Sequence, residues 1–214
     1  MKKVALFLLF LLPLSALAQG NDLLLDYHNE SGSALPLYRG RLATKYSFSY
    51  NGVYTWDRAG FREGDLVYEG KLYKGLQMDI NAHSQTLLVH VPESFSVVDL
   101  GSDGVDSFSL GNTVYRNLSA KGINVPKGFY KVVYEGKECI YERIDKEFRR
   151  DINSKNDGSI GYKDPNFKEG VFEIFVQHRA FYHVDANGKA KKFSSLKALL
   201  KKHKDLRREV TNYE

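Results

Sequence analysis

Cysteine is nearly absent from this sequence: Cys139 is the only one among 214 residues. A single cysteine excludes an intrachain disulfide, so packing rather than cross-linking has to stabilise the folded chain. Cys139 begins the apolar-alternating stretch Cys139–Tyr141, and no neighbour in the sequence marks a nucleophile site. We therefore expect a buried structural thiol rather than a reactive one.

Sequence motifs for catalysis and metal binding are missing as well. The Gly-x-Ser-x-Gly turn that carries the nucleophile of many serine hydrolases does not occur. Histidines occupy positions 28, 83, 90, 178, 183 and 203, and they form no His-x-His, His-Glu-x-x-His or Cys-His cluster. His178 and His183 are five residues apart, so one strand would point them to opposite sides. The sequence thus predicts no catalytic, cofactor-binding or metal-ligating residue, and no cofactor.

Long apolar runs are scarce too, and the one that exists stands at the N-terminus. Lys2 and Lys3 precede an uncharged stretch, Val4–Ala18, which contains Pro13 and ends on small residues. Positive charge, apolar run and small-residue end follow the order of a cleavable signal peptide. The run is shorter than the roughly 20 residues of a membrane-spanning helix, and no cysteine of a lipoprotein anchor follows it. We predict that residues 1–18 are a signal peptide and that the soluble product is exported to the periplasm or the extracellular space.

The rest of the chain is rich in Tyr, Phe and Val, which recur with a period near two between Gly, Asn, Asp and Pro. Tyr46, Phe48 and Tyr50 alternate with polar residues and lead into Asn51-Gly52, a strong hairpin signal. The pattern predicts a mainly β fold, a single antiparallel β-rich domain over residues 19–214, built as a sandwich or a strongly curved sheet. Predicted strands cover residues 46–50, 53–56, 66–68, 72–80, 86–91, 95–100, 107–110, 113–116, 129–134, 138–144, 171–176 and 180–184.

Two segments depart from this pattern. Residues 149–170 are polar and rich in Asn and Gly, which predicts a long exposed loop. Near the C-terminus, Ser194 or Ser195 is a good N-cap, and apolar side chains recur on one helical stripe. We expect one C-terminal amphipathic helix over residues 194–210. The stripe consists of Leu196, Leu199, Leu200, Leu206 and Val210.

The C-terminal helix lies in a strongly basic segment, because residues 186–214 hold nine Lys and Arg against three Asp and Glu. A basic helix is typical of proteins that contact nucleic acid or an anionic membrane surface, and export argues against nucleic acid. We expect the leucines to dock on the sheet and the lysines to face water. Weak peripheral contact with an anionic membrane is the alternative.

Two parts of the sequence resemble a known group of proteins. The run Gly64–Tyr73, followed by Leu76–Ile80, is similar to a recurrent signature in short exported proteins of Bacteroidetes-type bacteria, and the ending Phe193–Val210 also resembles theirs. The resemblance implies a location in a Gram-negative envelope or outside the cell. It carries over no catalytic residue, since none is assigned in those proteins.

A patterned β scaffold without a polar catalytic motif favours a non-enzymatic binding or envelope-associated module. Its partner is a small apolar ligand, a glycan or an envelope protein. The alternative is an envelope hydrolase whose site is assembled from scattered residues. Two carboxylates, or a His–Asp pair, converging in a deep cleft would favour the hydrolase, and an apolar cavity between helix and sheet would favour a lipid ligand.

Overall fold

The structure is a computed structural model that describes residues 32–150, 168 and 170–211. The predicted signal peptide at 1–18 and most of the predicted loop at 149–170 lie outside these residues. The strands are β1 (Arg41–Leu42), β2 (Arg62–Tyr68), β3 (Lys71–Asn81), β4 (Thr86–His90), β5 (Val97–Leu100), β6 (Val105–Leu110), β7 (Thr113–Arg116), β8 (Tyr130–Glu135), β9 (Cys139–Arg150), β10 (Glu173–Val184) and β11 (Ala190–Phe193). Short 3₁₀ helices cover Gly32–Ala34, Pro36–Arg39 and Ser102–Gly104, and the α-helices are α1 (Leu196–Lys202) and α2 (Leu206–Thr211).

All of these strands belong to one antiparallel sheet, in the order β1-β5-β4-β3-β2-β6-β7-β8-β9-β10-β11. The predicted fold class is confirmed: the chain is mainly β, its strands pair antiparallel, and helical structure stands at its C-terminal end. Of the two architectures that the sequence left open, the described residues form one curved sheet rather than two stacked sheets.

The sheet curves so strongly that the turn between β3 and β4 contacts the middle of β9. Gln85, in that turn, donates from Nε2 to the carbonyls of Ala82 at 2.8 Å and Ile144 at 2.9 Å, and its Oε1 accepts from the N–H of Phe129 at 3.2 Å. The N–H of Lys146 donates to the carbonyl of Ala82 at 3.0 Å. Because β9 extends beyond its partner β8, the turn supplies hydrogen bonds that a neighbouring strand would otherwise make.

The largest hydrophobic core lies inside this curvature. Met78 and Ile80 from β3 pack in one cluster with Leu87 from β4, with Phe129 and with Ile144 from β9, and all five are buried. Alternate residues of β3 point into the cluster, as expected for a strand with one packed face. The two halves of the sheet therefore share one core across the described residues.

The hairpin predicted at Asn51-Gly52 is wrong, because residues 43–50 form no strand. Asn51 instead makes an isolated bridge to Ile174 at the start of β10. The aromatic side chains before it pack on one another and on Phe175, whose ring centroid is 5.2 Å from that of Tyr46 and 5.1 Å from that of Tyr50. Clustered aromatic packing, not strand pairing, explains the alternation in this segment.

The strands predicted at 171–176 and 180–184 are one strand, β10, and β9 continues six residues past the predicted end at Ile144. Both predictions ended where the residues become polar, at Gln177–Arg179 and at 145–150. These residues belong to paired strands, but their side chains are polar and form no apolar face. The alternation of apolar and polar residues that predicts a strand is therefore missing there. The longest pairing in the sheet was therefore only partly visible in the sequence.

The single helix predicted over 194–210 is two short helices. Its predicted start is confirmed, because the hydroxyl of Ser195 accepts from the N–H of Ala198 at 3.1 Å and caps α1. The helix ends at His203, whose backbone angles (φ −116°, ψ 75°) are not helical, and α2 begins at Leu206. The apolar stripe did not predict this break, because Leu206 and Val210 continue the stripe beyond His203.

Both helices dock on the sheet through the predicted stripe. Leu199, Leu206 and Val210 are buried in one cluster with Ile140 of β9 and Phe181 of β10. This is the expected docked arrangement, with the apolar side turned to the sheet. A search of the described residues found no helix long and apolar enough to cross a membrane.

Replacing Leu199 by Ala tests this docking. Leu199 is fully buried, so the truncation leaves a cavity and is expected to lower the free energy of unfolding by about 3 kcal/mol. Denaturant unfolding measures the change, with Lys201→Ala on the exposed side of the same helix as the matched control, expected within about 0.5 kcal/mol of the parent protein. Equal stability of the two variants would show that α1 does not pack on the sheet.

Candidate functional site

One face of the β9–β10 ladder carries a charged groove at its middle and a histidine cluster at its end. Antiparallel pairing places Lys146 opposite Gln177 and Ile140 opposite His183. Because side chains alternate along a strand, even-numbered residues of β9 share this face with odd-numbered residues of β10. Residues far apart in the chain thereby come to lie side by side.

The charged groove is a recess of about 600 Å³ between this face and the loop that follows Asn51. Small-molecule sites usually measure about 300–1,000 Å³, so the groove has room for a ligand. Its apolar walls are Val53, Trp56, Ile144 and Phe175, and its polar lining is Asp57, Arg58, Lys131, Glu142, Lys146, Gln177 and Arg179, with Gly52 at the edge.

Basic side chains outnumber acidic ones in the charged groove by four to two. The carboxylate of Glu142 is shared, since it lies 2.9 Å from Arg179 and 3.8 Å from Lys131. Asp57 pairs with Arg62, a residue outside the groove, at 3.2 Å. The two acidic groups therefore do not balance the positive charge of the groove.

Lys146 is the most buried cation of the groove, with 6% of its surface exposed. Its Nζ donates to Oε1 of Gln177 at 2.8 Å. Burial lowers the pKa of Lys146, the charge of Arg58 lowers it further, Asp57 raises it, and Arg179 lowers it. Three cations close enough to act on one another favour a bound anion, which would relieve their mutual repulsion.

A second recess, of about 880 Å³, extends from the charged groove toward the start of α1. It shares Lys131, Glu142 and Arg179 with the groove, and its other residues are both apolar and polar. The described residues thus form a mixed recess between helix and sheet, not the apolar cavity that would favour a lipid. Those other residues are Asn112, Thr113, Val114, Val132, Val133, Glu135, Phe181, Ser194, Ser195 and Leu196.

The histidine cluster consists of Glu138, His183 and His203 and lies at the far end of the same face. Nε2 of His183 is 2.6 Å from Oε2 of Glu138, and the ring centroids of the two histidines are 3.9 Å apart with the rings tilted by 32°. One potential ligand atom from each residue lies within 4.8 Å of the other two. Imidazole nitrogens and a carboxylate oxygen are the ligand types that zinc binds in proteins.

His203 joins this cluster because the chain breaks between α1 and α2. Its backbone N–H donates to the carbonyl of Leu199 and closes α1, while its Nε2 is buried and has no hydrogen-bond partner among the described residues. Burial lowers the pKa of His203, and the nearby His183 lowers it further. A lowered pKa favours the neutral ring, and a neutral imidazole keeps one unprotonated nitrogen for a ligand.

The histidine cluster was invisible to sequence reasoning. Glu138 and His183 are 45 residues apart and meet only through the register of β9 and β10, and His203 arrives from a helix break that no pattern marked. The expectation that His178 points away from His183 agrees with the pairing along β10. His178 lies instead beside the exposed Glu147, at 2.7 Å, and does not belong to the cluster.

One further buried carboxylate, Asp79, lies on β3. It is 3% exposed and accepts from the N–H of Ile80 at 2.7 Å. Burial raises the pKa of Asp79 to about 6, and the charge of Asp57 adds to the rise, while Arg62 opposes it. The carboxyl group is thus held where its charged form is unfavourable.

Among the described residues, the charged groove does not present the free carboxylates or the His–carboxylate pair of a hydrolytic centre. In the charged groove, the carboxylates of Asp57 and Glu142 are each engaged by an arginine, and the His183–Glu138 pair does not line it. Comparisons of the chain with protein-family models, with curated proteins and with solved structures found no match.

The raised pKa of Asp79 predicts a pH-dependent stability. The folded state holds this proton up to about pH 6, whereas the unfolded chain loses it near 3.8. The stability that the protonated Asp79 contributes is complete below pH 3.8 and is lost as the pH rises through 6. Asp79→Asn should remove this loss and raise the free energy of unfolding at pH 7 by about 2 kcal/mol.

Urea unfolding of the parent protein and Asp79→Asn at a series of pH values measures this effect. Asp103→Asn is the matched control, because the side chain of Asp103 is 83% exposed. The expected result is a flatter profile for Asp79→Asn alone. Parallel profiles for the parent protein and Asp79→Asn would contradict the burial argument.

Proposed function

We propose that the protein is an exported, non-enzymatic binding module that holds a small anionic ligand in the charged groove. The observation that carries the proposal is the convergence of Lys146, Arg58 and Arg179 on one recess with apolar walls. A carboxylate or phosphate group placed among these side chains gains charge-assisted hydrogen bonds, which are about twice as strong as neutral ones.

The lining of the charged groove also indicates the chemical nature of the uncharged part of the ligand. Phe175, Trp56 and Ile144 line the groove but are each at most 4% exposed, so they offer a ligand edge contacts and no open ring face. An acidic sugar, held by its charged group and its hydroxyls, fits a groove whose accessible lining is mainly charged and polar. Among the partners expected from the sequence, the glycan is the class that the groove favours.

Export is part of the proposal and rests on the sequence. Residues 1–18 have the charge, apolar run and small-residue end of a signal peptide. The resemblance of Gly64–Tyr73 and Phe193–Val210 to exported proteins of Bacteroidetes-type bacteria supports a location in the periplasm or outside the cell.

Binding is favoured over hydrolysis because the acidic groups of the groove are occupied. A general acid needs a carboxyl group held protonated near neutral pH, whereas the carboxylate of Glu142 is held by Arg179 at 2.9 Å. An envelope hydrolase is the alternative, and release of a reducing end from an acidic oligosaccharide by the protein would support it.

Binding of glucuronate and glucose 6-phosphate, with glucose as the neutral analogue, tests the proposal. Both acidic probes should raise the melting temperature and bind in calorimetry, with affinity that falls as salt is added. Lys146→Met should weaken binding about tenfold or more, because one charge-assisted hydrogen bond is worth about 1.5–3 kcal/mol. Glucose should not bind.

Lys71→Met is the matched control, since Lys71 is exposed at the start of β3 and does not line the groove. Lys146→Met should remain folded, because Met has a similar volume without a charge to desolvate, and water can replace Nζ at the exposed Gln177. Equal binding of glucose and glucuronate, or full binding by Lys146→Met, would contradict the proposal.

A further inference from the structure

We propose that Glu138, His183 and His203 form a binding site for Zn²⁺ that ties the C-terminal helices to the sheet. The site lies beyond the charged groove on the β9–β10 face, and none of its three residues lines that groove. The proposal stands whether or not the groove binds an anion.

The spacing of the three residues suits a small metal ion. Three atoms that lie within 4.8 Å of one another are all within about 2.8 Å of a common centre, against about 2.0–2.2 Å for the ligand atoms of zinc. The ligand atoms therefore have to move by less than about 1 Å, the adjacent rings of His183 and His203 have to turn toward one point, and the hydrogen bond from His183 to Glu138 has to give way. Rotation about the side-chain bonds of Glu138 and His203, which are only partly buried, covers such a shift.

The donor set selects the metal. Two imidazoles and one carboxylate, with water in the fourth position, form a tetrahedral zinc site, whereas Ca²⁺ and Mg²⁺ prefer oxygen ligands throughout. The single carboxylate also offsets half of the charge of the ion. His203 supplies an independent sign of a ligand, because its buried Nε2 has no partner among the described residues and a buried polar atom without a partner is costly.

Metal binding at this place has a structural consequence. Glu138 precedes β9, His183 belongs to β10, and His203 is the residue at which α1 ends. One ion thus joins the sheet to the linker between α1 and α2, which otherwise holds to the sheet through the buried leucine cluster. Zn²⁺ should therefore stabilise residues 196–211 against local opening.

Titration of the tag-free, chelator-treated protein with Zn²⁺ in a calorimeter tests the site. We expect one bound ion per chain, a rise in melting temperature, and visible absorption bands of four-coordinate Co²⁺ when Co²⁺ replaces Zn²⁺. Glu138→Gln and His203→Gln should each weaken Zn²⁺ binding about tenfold or more. Ca²⁺ and Mg²⁺ should produce none of these changes.

His178→Gln is the matched control. Like His183, His178 belongs to β10 and lies beside a glutamate, at 2.7 Å, but among the described residues it belongs to no cluster of potential metal ligands. It should bind Zn²⁺ like the parent protein. Equal affinity of His203→Gln and the parent protein, equal losses in His203→Gln and His178→Gln, or no binding by the parent protein would overturn the proposal.

Hydrogen exchange separates loss of the metal from loss of the fold. At a Zn²⁺ concentration below the dissociation constant of Glu138→Gln, the ion should slow exchange over residues 196–211 in the parent protein and leave it nearly unchanged in Glu138→Gln, which keeps a hydrogen-bonding partner for His183. Should His203→Gln fail to fold, Glu138→Gln alone decides the matter through the calorimetric and exchange measurements. Slowing by Zn²⁺ in both proteins would contradict the assignment.

Discussion

The register of the β9–β10 ladder is the constraint on which both sites depend. Twelve consecutive pairs, from Cys139 with Val184 to Arg150 with Glu173, fix which side chains share a face. A slip of one residue would turn Lys146 and His183 to the opposite face, and neither the charged groove nor the histidine cluster would form. The curvature of the sheet completes the groove, because the turn that contains Gln85 holds β9 against the first half of the chain.

The fold class was accessible from the sequence because strands with one packed face repeat every two residues. β3 and β7 match their predicted spans within a residue, and Ser195, one of the two predicted N-caps, caps α1. Where the pattern misled, side chains had other roles. The aromatic residues 46–50 alternate as a strand would but pack as a cluster, which periodicity does not distinguish.

The candidate sites lay where the hydrophobic pattern failed. Gln177 and Arg179 interrupt the apolar run of β10, and Lys146 interrupts that of β9, because these residues line a groove rather than a core. His203 likewise interrupts the apolar helix at the point where it meets His183. Local departures of this kind are common at functional positions. Each site forms through contacts between distant segments of the chain. The sequence therefore shows where the apolar pattern is interrupted, but not which distant residues meet there.

The central claim is that the charged groove holds an anion. Identifying the molecule bound in the groove of the native protein tests this claim most directly. The protein can be recovered from its host under non-denaturing conditions and its bound small molecule identified by native mass spectrometry. The account predicts an acidic compound, carrying a carboxylate or phosphate, that is retained by the parent protein and absent from Lys146→Met. A neutral lipid or sugar in the parent protein, or the same compound retained by Lys146→Met, would contradict it.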